Sequence, residues 1–198
     1  MTANPVASIP GDDDAQLLRR YRQGDGEAFA QLYQRHRLGL FRFLCGLCGD
    51  PVLAEEVFQE TWLSLIRSES LQREAVLFKT WLYQIARNRL IDHWRKHGKQ
   101  QGLQDEYDAQ LHDQPSSEAG PEQQLNLSRD RQRLQAALDD LPAEQREVFL
   151  LRAHGDLELH EIAELTHTPA ETVKSRLRYA LQKLRRLLAD PAAEEVSA

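Results

Sequence analysis

Residues 159–188 read LHEIAELTHTPAETVKSRLRYALQKLRRLL, and this stretch decides how the C-terminal part of the chain folds. Leu159, Ile162, Ala163 and Leu165 recur at helical spacing, which predicts a short helix over Leu159–Leu165 with those side chains inward. Thr166-His167-Thr168 and Pro169 interrupt it. Thr168 and Glu171 have the S/T-x-x-E spacing of a capping box, in which hydroxyl and carboxylate each accept the other residue's amide. Pro169 is expected at the first helical position, where a missing N–H costs nothing. The second helix is therefore expected to start at Thr168. A short helix, a tight turn and a capped helix make a helix-turn-helix.

The second helix has two faces. At about 100° per residue, Val173, Leu177, Ala180, Leu181, Leu184 and Leu188 fall on one side. Glu171, Lys174, Ser175, Arg178 and Gln182 fall on the other, as side chains able to reach base edges and phosphates from a major groove. Arg176, Lys183, Arg185 and Arg186 flank that face and suit phosphates. A charged helix face is often merely solvated. The turn that precedes this one favours duplex binding.

Net charge is −6 over 198 residues, which argues against a nucleic-acid partner until the charge is mapped. Lys79–Lys99 holds 6 basic residues against 1 acid, and Ala170–Leu188 also holds 6 against 1. Residues 98–130 carry 2 basic against 7 acidic residues, and the two ends add 6 acids with no Lys or Arg. Two local basic patches on an acidic chain point to nucleic acid more strongly than the sum points away. Mean hydropathy is −0.61, so the core is expected to be thin and shared among amphipathic helices. No run approaches the roughly 18 apolar residues of a membrane span, and Met1–Pro10 does not read as an export signal. A soluble, cytoplasmic protein is expected.

Helical spacing continues upstream. Phe29, Leu32, Tyr33, His36, Leu40, Phe43, Leu44 and Leu47 form one stripe of a long helix. Asp50-Pro51 restarts the chain, and Val52, Leu53, Val57, Thr61 and Leu65 carry a further helix to about Arg67. Another is expected from about Leu77 to His97. Residues 97–125 are rich in Gly, Pro, Ser, Gln and Asp and read as a flexible linker. Helical pattern resumes at Leu134, Leu138 and Leu141, with Val148, Phe149 and Leu151 after Pro142. No stretch alternates with period two. The fold class is all-α: two small helical domains joined by a flexible acidic linker.

Several segments resemble the extracytoplasmic-function, or group IV, RNA polymerase sigma factors of the sigma-70 family. Glu161-Ile162-Ala163-Glu164, Pro169 and Thr172-Val173-Lys174-Ser175-Arg176-Leu177 resemble sigma region 4, preceded by Asp140-Leu141-Pro142 and Arg146-Glu147-Val148-Phe149. Glu55-Glu56-Val57-Phe58-Gln59-Glu60 resembles the region 2 segment that docks on the polymerase clamp. Thr80-Trp81-Leu82-Tyr83-Gln84-Ile85-Ala86-Arg87-Asn88 resembles the segment that reads the −10 element. The four motifs fall in family order and span about residues 12–188.

The resemblance implies region 2 over residues 12–97, a linker over 98–125 and region 4 over 126–189. It implies that Glu171, Lys174, Ser175, Arg176, Arg178 and Gln182 read the −35 element. It assigns Lys79, Arg87, Asn88, Asp92 and Arg95 to the −10 strand, with Asn88 on a flipped base. Glu56, Gln59 and Glu60 would touch the polymerase. The implied partners are core RNA polymerase, promoter DNA and an anti-sigma factor. No cofactor is implied. Trp81, Tyr83 and Trp94 add aromatic surface beside the basic groups, as a single-strand groove needs, although Trp81 and Leu82 read more as core than as base stackers. Two departures stand out. His167 replaces the usual turn glycine, at a position of positive φ that His tolerates. Glu158 replaces the usual Ser cap of the first helix and is a weaker cap. The loop Arg67–Leu77 matches no readable pattern, which leaves the promoter sequence open.

Cys45-Gly46-Leu47-Cys48 is a C-x-x-C without a second pair, at the end of an apolar stripe, and reads as buried small residues rather than a redox or metal site. Asp12-Asp13-Asp14 reads as a helix start favoured by negative charge. No nucleophile motif, phosphate loop or paired-carboxylate constellation is present, so an enzyme is not expected. The alternative is a stand-alone helix-turn-helix regulator with an N-terminal sensing domain, which leaves the Glu55–Glu60 and Lys79–Lys96 motifs unexplained.

Overall fold

The structure, a computed structural model, describes residues 13–67, 78–96 and 121–189. The helices are α1 (Asp14–Arg22), α2 (Gly26–Cys48), α3 (Pro51–Arg67), α4 (Phe78–Lys96), α5 (Pro121–Asp139), α6 (Ala143–Gly155), α7 (Leu159–Thr166) and α8 (Ala170–Leu188). No strand occurs among the described residues.

Short polar residues start the N-terminal helices. Asp13 accepts the Gln16 amide at 2.7 Å, and the Gln16 side chain accepts the Asp13 amide at 3.0 Å, a complete capping box. Asp13 and Asp14 thus sit at a helix start as their charge predicts, whereas Asp12 lies outside the described residues. Asp25 accepts the amides of Glu27 and Ala28 to open α2, and Asp50 accepts those of Val52 and Leu53 to open α3. The α2 stripe is as the periodicity predicts, with Leu32, Leu40, Phe43, Leu44 and Leu47 buried. α1, α3 and α4 pack around it. Phe29, Tyr33, Phe58 and Trp62 interlock edge to face or tilted at centroid distances of 4.9–6.3 Å.

In the second unit α8 lies across α5, α6 and α7. Val173, Ala180 and Leu184 of α8 are buried with Val148, Leu151, Ile162 and Leu165 in the same core. Arg146 holds Asp139 at 2.8 Å, and Lys183 donates to the Asp140 carbonyl, which fixes the α5–α6 turn on α8. Pro121 opens α5, so residues 121–125, read from composition as linker, belong to a helix. Pro is well suited to a first helical position, and that signal was outweighed by the surrounding polar residues. The remainder of the expected linker, 97–120, and the loop 68–77 lie outside the described residues.

The two units also pack on each other, which the sequence did not predict. α6 lies along α2, and α4 touches both α6 and α7. The α2–α6 approach needs glycine at Gly39, where the nearest atom is backbone, while at Gly46 a Leu150 methyl would have to shift. A Cβ on Gly39 would stand 2.5 Å from the His154 carbonyl oxygen, and one on Gly46 would stand 2.7 Å from a Leu150 methyl.

Cys45 and Cys48 are partly buried against this core, and no disulfide joins them. Burial pushes the Cys45 thiol up to about 12 and the Cys48 thiol up to about 11. The Cys48 thiol donates to the Asp50 carbonyl. Thiolate is the reactive form, so alkylation by iodoacetamide at pH 8 should run roughly a hundredfold slower in the native chain than in urea. Equal rates in the two conditions would show a reactive C-x-x-C.

Candidate nucleic-acid interface

The helix-turn-helix is built by backbone geometry more than by caps. α7 opens with the Glu158 amide donating to the Glu161 carboxylate at 2.7 Å. The Glu158 carboxylate itself turns to Arg152 at 3.1 Å. α7 ends at His167, whose φ of 53° and ψ of 42° are left-handed, as its place in the turn predicts. The Thr168 amide donates back to the Ala163 carbonyl at 3.0 Å, and the chain reverses.

The expected Thr168–Glu171 capping box does not form. α8 begins at Ala170 with Pro169 in the cap position, φ −56° and ψ 140°, its carbonyl accepting from Thr172 and Val173. The helix starts two residues later than the motif predicts. The Thr168 hydroxyl is occupied instead, donating to the Thr166 carbonyl at 3.2 Å and accepting from Arg176 at 3.3 Å. Glu171 is exposed in the first turn, 3.9 Å from Lys174, where the helix dipole favours an anion.

This division sorts the six α8 candidates. Glu171, Lys174, Arg178 and Gln182 are exposed along the outer face, with Ser175 half-buried beside them. Arg176 is half-buried and turned to the turn. Lys174, Leu177, Arg178, Leu181, Gln182 and Arg185 line one shallow groove. Leu181, assigned to the core by helical angle, is exposed on that face. Tyr179, half-exposed, was missed: its ring lies 5.0 Å from the Arg178 guanidinium. An aromatic one position after the candidate Arg178 was the available signal.

The α4 candidates divide between two faces. Asn88, Asp92 and Arg95 are exposed on one strip, with an Asp92–Arg95 pair at 3.6 Å, and half-buried Trp81 shares that side. Lys79 and Arg87 face the second unit. Lys79 donates to the Asp156 carbonyl at 2.6 Å. Arg87 holds Glu147 through two contacts, at 2.7 and 3.4 Å. Tyr83, read as aromatic surface for a strand, is instead 1% exposed and donates to the His154 carbonyl at 2.8 Å. Burial raises its phenol well above the usual range. Burial, then the Arg42 charge, lowers the His154 imidazole. Half-buried Trp94 packs against the core.

Glu56, Gln59 and Glu60 are exposed on α3. Gln59 donates to Glu55 at 2.7 Å, and Glu60 lies 3.5 Å from Arg89. Val52, 69% exposed, Leu63 and Ile66 share the Glu56–Gln59 face. Val52 was grouped with the buried stripe, but steps of three and four from Val52 to Glu56, Gln59, Leu63 and Ile66 mark a second, outward stripe. Among the described residues no cluster of three or more His, Cys, Asp or Glu could hold a metal ion, and no described helix is long and apolar enough to cross a membrane.

Family models of sigma-70 region 2 and sigma-70 region 4 match residues 32–100 and 137–186. The ECF RNA polymerase sigma factor RpoE of Cereibacter sphaeroides is 33% identical over 177 residues, covering 87% of this chain and 93% of the relative. The ECF RNA polymerase sigma factor SigM of Bacillus subtilis is 30% identical over 158 residues, 79% of this chain and 93% of that one. The structure of the sigma factor RpoE of Bartonella quintana in complex with the anti-sigma factor NepR superposes with a TM-score of 0.66. It is 25% identical and covers 82% of this chain and 98% of that one. CnrH in complex with the cytosolic domain of CnrY shares the fold, with a TM-score of 0.62 at 23% identity over 89% of this chain and 97% of that one. A helix-turn-helix with a basic outer face, following a four-helix unit with its own exposed polar strip, is thus explained by ancestry as well as by chemistry: the chain belongs to the ECF RNA polymerase sigma factors of the sigma-70 family.

Proposed function

We propose that this sigma factor joins core RNA polymerase through α3 and positions it on promoters through α8 and α4. The observation that carries this reading is the occurrence in one chain of both sigma regions, each presenting an exposed polar helix face. In this reading region 2 occupies residues 12–97 and region 4 the C-terminal unit, with the boundary helix α5 joined to the latter. The chain has no chemistry of its own; polymerase supplies catalysis. It works in the cytoplasm, where that enzyme transcribes. The Bartonella quintana relative was captured with an anti-sigma factor, and we extend that class of partner to this chain.

α8 would lie in the −35 major groove. Lys174, Arg178 and Gln182 would reach base edges, and Glu171 would accept from a cytosine amino group. Ser175 and Arg176 would support the groove-facing residues, with Arg176 bracing the turn and contacting a phosphate. On α4, Asn88 would hold a flipped base while Asp92 and Arg95 line the strand, and Lys79 and Arg87 would neutralise its phosphates. Glu56, Gln59 and Glu60, joined by Val52, Leu63 and Ile66, would form the polymerase contact, an apolar patch with a polar rim.

Adding the chain to core polymerase should give run-off transcripts that start at one site on an ECF-type promoter. Tight duplex binding by the isolated chain, with no promoter-dependent transcript, would favour a stand-alone regulator instead. Arg178→Ala should weaken binding by about 1–3 kcal/mol on the correct −35 sequence and by less on scrambled DNA. Asn88→Ala should reduce open-complex formation while leaving polymerase affinity unchanged. Uniform loss across sequences, or equal loss of both activities, would contradict those assignments.

A further inference from the structure

The apolar side of α8 is buried against its neighbours, yet Tyr179 stands half-exposed outside that core. Burial therefore does not account for the ring. What the ring touches is Arg178. The Arg178 guanidinium lies over it, 5.0 Å from the centroid, and its Nη2 donates to the phenol oxygen at 3.3 Å. Consecutive residues of a helix do not face each other, so the Arg178 side chain has to bend towards its neighbour to make both contacts. Other cations of α8 are tied differently. Arg176 donates to Thr168, Lys183 donates to the Asp140 carbonyl, and Lys174 lies 3.9 Å from the Glu171 carboxylate. Arg178 meets no carboxylate among the described residues. It is ordered without being neutralised.

We infer that Tyr179 is a positioning residue for Arg178, holding its guanidinium as a flat fork aimed at the O6/N7 edge of a guanine in the −35 element. The inference rests on the −35 reading of α8 given above. The chemistry follows from what the contact leaves free. Cation–π attraction uses the face of the guanidinium, and one hydrogen bond uses one Nη2 hydrogen. Hydrogens on Nη1 and Nε therefore stay in the plane for other acceptors. Parallel N–H bonds to O6 and N7 are what a planar fork matches and a lysine ammonium does not. An unrestrained arginine gives up rotamer freedom when it docks, and a side chain already held loses less. The positive charge also reaches the groove in full, because a phenol oxygen does not cancel it as a carboxylate would.

Holoenzyme assembled from core polymerase and the full-length chain would be titrated on promoter duplexes in which each −35 guanine in turn is replaced by 7-deazaguanine. That base pairs normally but lacks the N7 acceptor. At one position the wild type should lose affinity, and Arg178→Ala should show no such loss. Tyr179→Leu should cut the sensitivity at that position by roughly two- to fivefold, the strength of an exposed cation–π contact, and Tyr179→Phe, which keeps the ring, by less. Adding Tyr179→Leu to Arg178→Ala should change nothing further. In the free chain the Arg178 Nε–H resonance should carry a ring-current shift that Tyr179→Leu removes. An equal effect of Tyr179→Leu with and without Arg178, or an Arg178 resonance indifferent to Tyr179, would overturn the positioning role while the −35 reading stands. If no guanine shows a loss that depends on Arg178, although Lys174→Ala or Gln182→Ala still alters −35 selectivity, the guanine assignment is wrong. If none of these α8 variants alters −35 selectivity, the −35 reading fails and the inference fails with it.

Discussion

Promoter elements named −35 and −10 lie about 25 base pairs apart, roughly 85 Å along B-form DNA. No single small helical unit spans that distance, and the proposed reading gives each element a unit of its own. Each reading surface needs its own scaffold. α2 with α1, α3 and α4 supports one, and α6 with α5 and α7 supports α8. The stretch 97–120 between them could reach on the order of 80 Å if fully extended, at roughly 3.3–3.6 Å per residue. In the proposed reading, with α8 on the −35 element and α4 on the −10 strand, both elements can be engaged only once the α2–α6 and α4–α7 contacts part.

Within each unit, buried leucines and interlocked aromatics fix the helices by apolar burial. Across the units, hydrogen bonds and ion pairs such as Arg87–Glu147 and Thr80–Glu161 surround α4, while buried Leu150 packs on Gly46 and the Tyr83 ring on Gly155 within one apolar core that both units share.

The helix-turn-helix was legible in the sequence because it depends on local chemistry. The leucine period, the prolines and a turn residue able to adopt positive φ lie within a short window, and His167 adopts the expected geometry. The fine detail was less legible. Thr168 had two competing uses, and the turn carbonyl and Arg176 took its hydroxyl from the cap. Leu181 shows the limit of helical angle alone: it lies at the edge of the apolar arc, where neighbouring helices no longer cover it. Lys79, Tyr83 and Arg87 mark a deeper limit. Their partners are some 60 to 80 positions away, and no periodic signal reports such pairings. Family resemblance placed these residues in a reading segment but could not reveal that the free chain engages them elsewhere.

In the proposed function two separate helical surfaces divide the reading of one promoter. Footprinting of polymerase carrying this sigma factor tests it most directly, with nuclease protection for duplex contacts and permanganate for unpaired thymines. Two protected patches about 25 base pairs apart are expected, with reactive thymines only in the downstream one. Removing the Lys174 and Arg178 side chains should erase the upstream patch first. A single continuous patch insensitive to those substitutions, or reactive thymines beneath α8, would contradict that division.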